Sequence, residues 1–215
     1  MQGLGGGGVG YRTVSGCAEA AFIEKKSEFI GSIAPVVSDE EAAAFIAQTR
    51  AAHRKARHSV YAYLLRAGNT TRFTDDGEPQ GTAGAPVLEV LKKEGLTDVC
   101  VIVTRYFGGI LLGGGGLVRA YSHAAKLAVD AAKPVTYHEA VLFELCADYT
   151  LYGRIAATAA ACGAKVVSEE FAASVTMRLH IRVQDADAFV KALANATNGQ
   201  AHLSEINKVF AVFDE

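Results

Sequence analysis

Apolar and polar residues change period several times along this chain, and the changes mark its elements. Val175, Met177, Leu179, Ile181 and Val183 alternate with polar residues over nine positions, the pattern of a strand with one buried face. Val101, Ile102, Val103 and Thr104 form a β-branched run with strand composition. Leu117 to Ala132 holds sixteen residues without Gly or Pro, rich in Ala and Leu, and predicts a helix. Ser38-Asp39-Glu40-Glu41 reads as a capping box opening a helix to about Arg54, whose apolar stripe is Ala42, Phe45, Ile46 and Thr49. Pro86 suits the first turn of a helix ending near Gly95, with Val87, Leu88 and Leu91 as its buried side. Further strands are expected at Tyr11–Val14, Ala20–Ile23, Phe29–Val37, His58–Leu65 and Thr70–Thr74. In Phe29–Val37, Gly31 and Pro35 suggest an edge or a bulge.

After Lys133-Pro134, read as a linker, the rhythm simplifies. Strand 140–147, helix 151–162, strand 164–169, strand 175–183, a helix capped by Asp185 and strand 201–213 follow in turn. This βαββαβ order is that of a ferredoxin-like fold. The fold class is therefore α+β in two domains. The boundaries are a Gly-rich flexible tail over 1–16, a first domain over 17–135 and a ferredoxin-like domain over 136–215.

Half of the 215 residues are apolar, ample for two cores. The formal charge is −2. It is uneven: residues 1–135 carry 15 Lys and Arg against 13 Asp and Glu, residues 136–215 carry 6 against 10. Affinity for RNA would have to come from a local patch in the first half. Cys17, Cys100, Cys146 and Cys162 are widely spaced without a CxxC pair, which points to reduced thiols in a cytoplasmic protein. No apolar run is long enough to span a membrane, and the first residues lack the basic and hydrophobic regions of a secretory signal.

Candidate chemistry gathers on two segments. The first runs Arg105, Tyr106, Phe107, Gly108, Gly109, then Gly113, Gly114, Gly115, Gly116, and on to Arg119 and His123. Strand, glycine loop and helix together leave backbone N–H groups free at a helix N-terminus, where an anion can sit. The P-loop pattern fails, because Gly115 and Gly116 stand where Lys and Ser or Thr are required. The dinucleotide fingerprint fails at Val118. An anion or nucleic-acid contact remains, with Tyr106 and Phe107 as stacking groups; the plain alternative is that the glycines only permit tight strand–helix packing. Arg119 sits in the first turn of a helix, where a cation opposes the dipole, so it should face a phosphate or pair with Asp75, Asp76 or Glu78. Arg50, Arg54, Lys55 and Arg57 make a second basic cluster.

The second segment is the loop holding Asp75, Asp76, Glu78, Gly81 and Thr82. Its carboxylates either pair with Arg105 or Arg119, hold a metal, or act as an acid–base pair; ordinary turn chemistry favours pairing. No metal, no cofactor and no nucleophilic elbow are expected.

DDGEPQGTAGAP (Asp75–Pro86) and VTRYFGGILLGGGGLVRAYSHA (Val103–Ala124) resemble the signature segments of the IMPACT/YigZ family (UPF0029), and HSVYAY at His58–Tyr63 is similar to a strand of that family. The four-glycine run at Gly113–Gly116 departs from relatives, which usually carry a bulkier residue there. The resemblance implies an N-terminal domain similar to domain 2 of ribosomal protein S5 and to domain IV of elongation factor G. A ferredoxin-like domain similar to domain V of that factor follows it. It also implies regulation of translation through RNA, a ribosome or a translation factor. An enzyme using Asp75, Asp76 and Glu78 opposite Arg105 and Arg119, or a module that binds only protein, are the alternatives. The sequence carries no DNA-specific motif and leaves the oligomeric state open.

Overall fold

The structure, a computed structural model, describes residues 10–213. Residues 12–135 form one compact unit; residues 136–213, with the start of the first strand, form the other. The fold is α+β throughout, with antiparallel sheets.

The first unit carries a five-stranded sheet. Its spatial order is β2 (Ala18–Glu24), β3 (Ser27–Pro35), β6 (Val99–Tyr106), β4 (His58–Leu65), β5 (Thr70–Thr74). The central β6 is buried from Val99 to Arg105, and its side chains alternate between two cores. Val99, Val101 and Val103 face the core under α2 (Gly84–Lys93) and α3 (Gly114–Ala131). Cys100 and Ile102 face the core under α1 (Asp39–Ala52). A strand buried on both faces reads as a continuous apolar run, which is why the periodicity there was neither 2 nor 3.6. Burial pushes the Cys100 thiol up to about 12, so it packs as a small apolar group.

The capping box forms: the Glu41 N–H donates to Ser38 Oγ at 3.2 Å, and Glu41 Oε2 accepts from the N–H of Val37 at 2.8 Å. The buried sides of α1 and α2 carry the expected residues: Ala42, Ile46 and Thr49, then Val87, Leu88 and Leu91. Four local expectations are corrected. β3 is an interior strand, not an edge, and Gly31 is there because α3 passes so close that a Cβ would stand 2.4 Å from the Ala124 carbonyl oxygen. Gly114, Gly115 and Gly116 belong to the first turn of α3 and not to a loop. Lys133-Pro134 is no linker: Lys133 turns the chain at φ +51°, and Pro134 is the first residue of β7, where no ladder N–H is missed. Residues 10–16 belong to the fold and not to a tail, since Gly10–Val14 forms β1, Thr13 Oγ1 donates to the Asp98 carbonyl and Ser15 Oγ to the Ala132 carbonyl. The remainder of the glycine-rich segment, 1–9, lies outside the described residues.

The second unit runs β7 (Pro134–Ala147), α4 (Tyr152–Ala161), β8 (Lys165–Phe171), β9 (Val175–Arg182), α5 (Ala186–Thr197), β10 (His202–Val212). Its strands lie in the order β10-β7-β9-β8, the ferredoxin-like arrangement, with β1 adding to β7. Tyr11 stacks on Tyr137 with ring centres 5.1 Å apart. The alternating strand buries Val175, Met177, Leu179 and Ile181 against Ile155 of α4 and Phe189 and Leu193 of α5. Val183 leaves the strand for a 3₁₀ turn, and Asp185 precedes α5 without a capping bond from its side chain.

Candidate functional site

The end of β6 delivers Arg105 to a place where three elements meet. Phe29 of β3 lies under its guanidinium at 5.3 Å, and Ser27 Oγ accepts from Nη2 at 3.4 Å. Across from it the β5–α2 loop turns inward and presents Glu78, whose Oε1 accepts from Arg105 Nη1 at 2.6 Å. Both side chains are buried, at 5% and 4% exposure. A charge pair so withdrawn from water persists only with further hydrogen bonds. Tyr121 supplies one, donating its hydroxyl to the same Oε1 at 2.8 Å. Burial first, then the Glu78 charge, raises the pKa of that hydroxyl well above the usual tyrosine range and keeps it a donor. His58 Nε2 lies 3.8 Å from Glu78.

The rest of the acidic loop is consumed by its own backbone. Asp75 accepts from the N–H groups of Gly81, Ala83 and Gly84 at 2.9, 3.1 and 2.8 Å, capping the start of α2 from outside the helix. Asp76 takes φ +44°, accepts from the Ser59 N–H at 2.6 Å and from Arg50 at 3.0 Å, and its carbonyl meets His58 Nδ1 at 2.8 Å. Thr82 Oγ1 donates to the Pro79 carbonyl. No group of three or more His, Cys, Asp or Glu is placed to hold a metal among the described residues. Asp75→Ala strips three backbone donors of their acceptor. It is expected to cost about 1–2 kcal/mol, read from the urea midpoint of unfolding.

The two candidate segments therefore do meet, but the pairing falls on Arg105. The expectation that Arg119 pairs with Asp75, Asp76 or Glu78 is corrected: Arg119 is exposed and makes no ion pair among the described residues, and its Nη1 lies 3.7 Å from where a Cβ on Gly115 would stand. His123 and Lys126 follow Arg119 along one face of α3 at helical spacing. Lys126 binds Glu94 and Asp130, and the exposed His123 packs its ring edge-on to Phe22 at 4.7 Å. Tyr106 turns away from the loop, its hydroxyl 3.0 Å from His53 Nδ1 against α1. Phe107 stays beside the loop, 38% exposed, with the Arg105 and Arg57 guanidinium carbons at 5.4 and 5.7 Å from its ring centre. Sequence reasoning gave no role to Tyr121 or Ser27. A Tyr on the apolar stripe of α3 was the available signal, because a buried hydroxyl needs a partner.

Between the acidic loop and the glycine loop lies a cleft of about 370 Å³. Glu78, Arg105 and His58 form its floor; Arg57, Phe107, Leu111, Leu112, Gly113 and Leu117 line its sides. Near the cleft, Gly108 packs against the β2–β3 turn so closely that a Cβ there would collide with the Lys26 carbonyl oxygen. Lys25 and Lys26 make that turn at φ +45° and +65°. Beyond the cleft, Lys25 shares a hollow with Arg119, Gly116 and Leu112.

Fold and site thus define a two-domain α+β protein whose first unit carries a glycine-bordered cleft over a buried Glu–Arg–Tyr cluster. Residues 25–129 match the Impact N-terminal domain, and residues 145–200 match a domain of unknown function, DUF1949. The chain is 34% identical to IMPACT family member YvyE of Bacillus subtilis (strain 168), over 91% of this chain and 90% of that one. It is 34% identical to IMPACT family member YigZ of Escherichia coli (strain K12), over 86% and 92%. A crystal structure titled as that of an hypothetical protein superposes with a TM-score of 0.59 at 31% identity, covering 92% of this chain and 98% of the other. The chain belongs to the IMPACT family.

Proposed function

We propose that this protein is a cytoplasmic RNA-binding regulator of translation that contacts ribosomal RNA, or the RNA of a translation complex, through the rim of the glycine loop. One observation carries the reading. Lys25, Lys26, Arg57 and Arg119 surround the loop, and none of them has an acidic partner among the described residues. Between them Phe107, Ile110 and Leu111 are exposed, Leu111 at 81%. Unpaired cations attract phosphates, and exposed rings and apolar tips suit unstacked bases. The α3 N-terminus adds unblocked backbone donors, since Gly113 offers no side-chain cap. All four cysteines are free, in keeping with a reducing compartment, and no helix is long and apolar enough to cross a membrane among the described residues.

Catalysis by Asp75 and Asp76 has less support, because their oxygens are occupied by the protein's own donors. Single-stranded RNA titrated at rising salt tests the proposal. Four phosphate contacts give a log–log slope of roughly −3, and Arg57→Ala with Arg119→Ala makes it shallower by roughly 1.4. A salt-independent affinity, or a slope unchanged by the double variant, would sink it. A partner that survives ribonuclease in a pull-down would favour a protein-only module instead.

A further inference from the structure

We infer that the open edge of β8, with the aromatic cluster at its end, is a docking site for an extended basic segment of another protein. The surface belongs to the second unit and stands or falls apart from the RNA reading.

β8 ends its sheet and pairs only with β9, so its outer side presents backbone N–H and C=O groups without a ladder partner. A bulge between Val166 and Ser168 interrupts the strand and leaves Ser168–Phe171 as its regular stretch. Three rings gather at the end of that stretch. Phe171 packs against Tyr149, in the 3₁₀ turn ahead of α4, with ring centres 6.3 Å apart, and against Tyr152 of α4 at 5.4 Å. Phe171 is 55% exposed and Tyr149 48%. Both phenols are held at their polar ends: Tyr149 donates to the Ala172 carbonyl at 2.7 Å, and Tyr152 to Glu169 Oε1 at 3.2 Å. Rings tethered in this way cannot turn inward, so their exposure is built into the fold. Val166 and Val167 are exposed as well and carry the apolar surface along the strand.

Charge indicates what covers this surface. Glu169 and Glu170 lie within the regular stretch, and Asp148 precedes the Tyr149 turn. None of the three meets a cation among the described residues; the bonds of Glu169 and Asp148 go to Tyr152 and to Thr150. The cations on the same sheet are engaged elsewhere, Lys165 with the Val212 carbonyl and Arg178 with Glu144. An edge of this sign repels phosphates, which argues against nucleic acid here. It also repels its own copy, because antiparallel pairing of two β8 edges centred on Ser168–Phe171 would set four carboxylates against one another. Bulge and glutamates thus bar like strands and admit one of opposite charge. An extended segment with Arg or Lys at alternate positions would gain ladder bonds from the β8 backbone, charge pairs from Glu169 and Glu170, and a ring face at Phe171 and Tyr149 for one cation.

Fluorescence anisotropy of the full chain with an end-blocked, labelled peptide of alternating Arg and Val tests this. The peptide is expected to bind roughly tenfold or more tighter than its counterpart of alternating Glu and Val. Glu169→Gln with Glu170→Gln should weaken it by roughly tenfold, while Asp187→Asn with Glu205→Gln, an equal loss of charge elsewhere on the same unit, should leave it within about twofold. Phe171→Ala, at an exposed position, should weaken it by about threefold or more with circular dichroism unchanged. Methylation of every backbone nitrogen of the peptide should weaken it by roughly tenfold or more, because ladder bonds are lost while charge is kept. Equal effects of the two charge-removing pairs would overturn the site in favour of diffuse attraction. Binding indifferent to N-methylation would overturn strand addition. Competition by single-stranded RNA at this edge, or a dimer in sedimentation that Phe171→Ala dissolves, would give the surface to nucleic acid or to a second copy and overturn the proposal.

Discussion

Glu78→Ala is expected to be the most damaging single change at the site, lowering stability by about 3–5 kcal/mol. The loss would not reflect the strength of the ion pair. Two buried charges repay little more than their desolvation when both are present, and replacing the whole pair with apolar groups can be neutral. Removing one partner is different, because Arg105 stays 4% exposed, surrounded by Phe29 and Ser27, with its charge uncompensated. The Tyr121 hydroxyl loses its acceptor at the same time. Tyr121→Phe, which removes one bond and leaves the pair, should cost only about 0.5–1.5 kcal/mol. Urea unfolding of the three chains gives the comparison, with m-values checking that the transition stays two-state. Equal losses for Glu78→Ala and Tyr121→Phe would mean that water reaches Arg105 in the variant and that an uncompensated buried charge does not set the cost.

How much of this cluster the sequence disclosed depended on the range of the interaction. Elements with local causes were legible: the Ser38 box, the alternation at 175–183 and the apolar sides of α1 and α2 follow from neighbours a few residues apart. The acidic loop and Arg105 were legible as partners by type, since buried carboxylates seek cations. Which arginine wins was not legible. Arg105 ends a strand whose register against β3 and β4 aims it at the loop, and register is a property of the folded sheet. Arg119 stands one helical turn into α3, on its exposed side, so the same charge reads alike in sequence and lands elsewhere. The glycines were the hardest. Gly31, Gly108 and Gly115 look the same on the page, yet each has a separate reason to be Gly, or none.

Those reasons separate by experiment. Gly31→Ala is expected to destabilise by roughly 1–3 kcal/mol or more, because its Cβ would stand 2.4 Å from the Ala124 carbonyl oxygen and 3.1 Å from the Ala128 Cβ. The obstacle is the backbone of α3 in the middle of a core, and it yields only if the helix shifts off the sheet. Gly115→Ala should do the reverse. Its Cβ would meet only the Arg119 guanidinium, 3.7 Å away at the end of a flexible side chain, and Ala in a helix is favoured over Gly by about 0.5–1 kcal/mol. Thermal unfolding of the two variants decides the signs. If Gly115→Ala is stabilising and also weakens RNA, packing does not explain the glycine run, and the open backbone at the head of α3 is kept for a ligand. If Gly115→Ala is destabilising, the glycines serve the fold, and the rim of cations must account for binding alone.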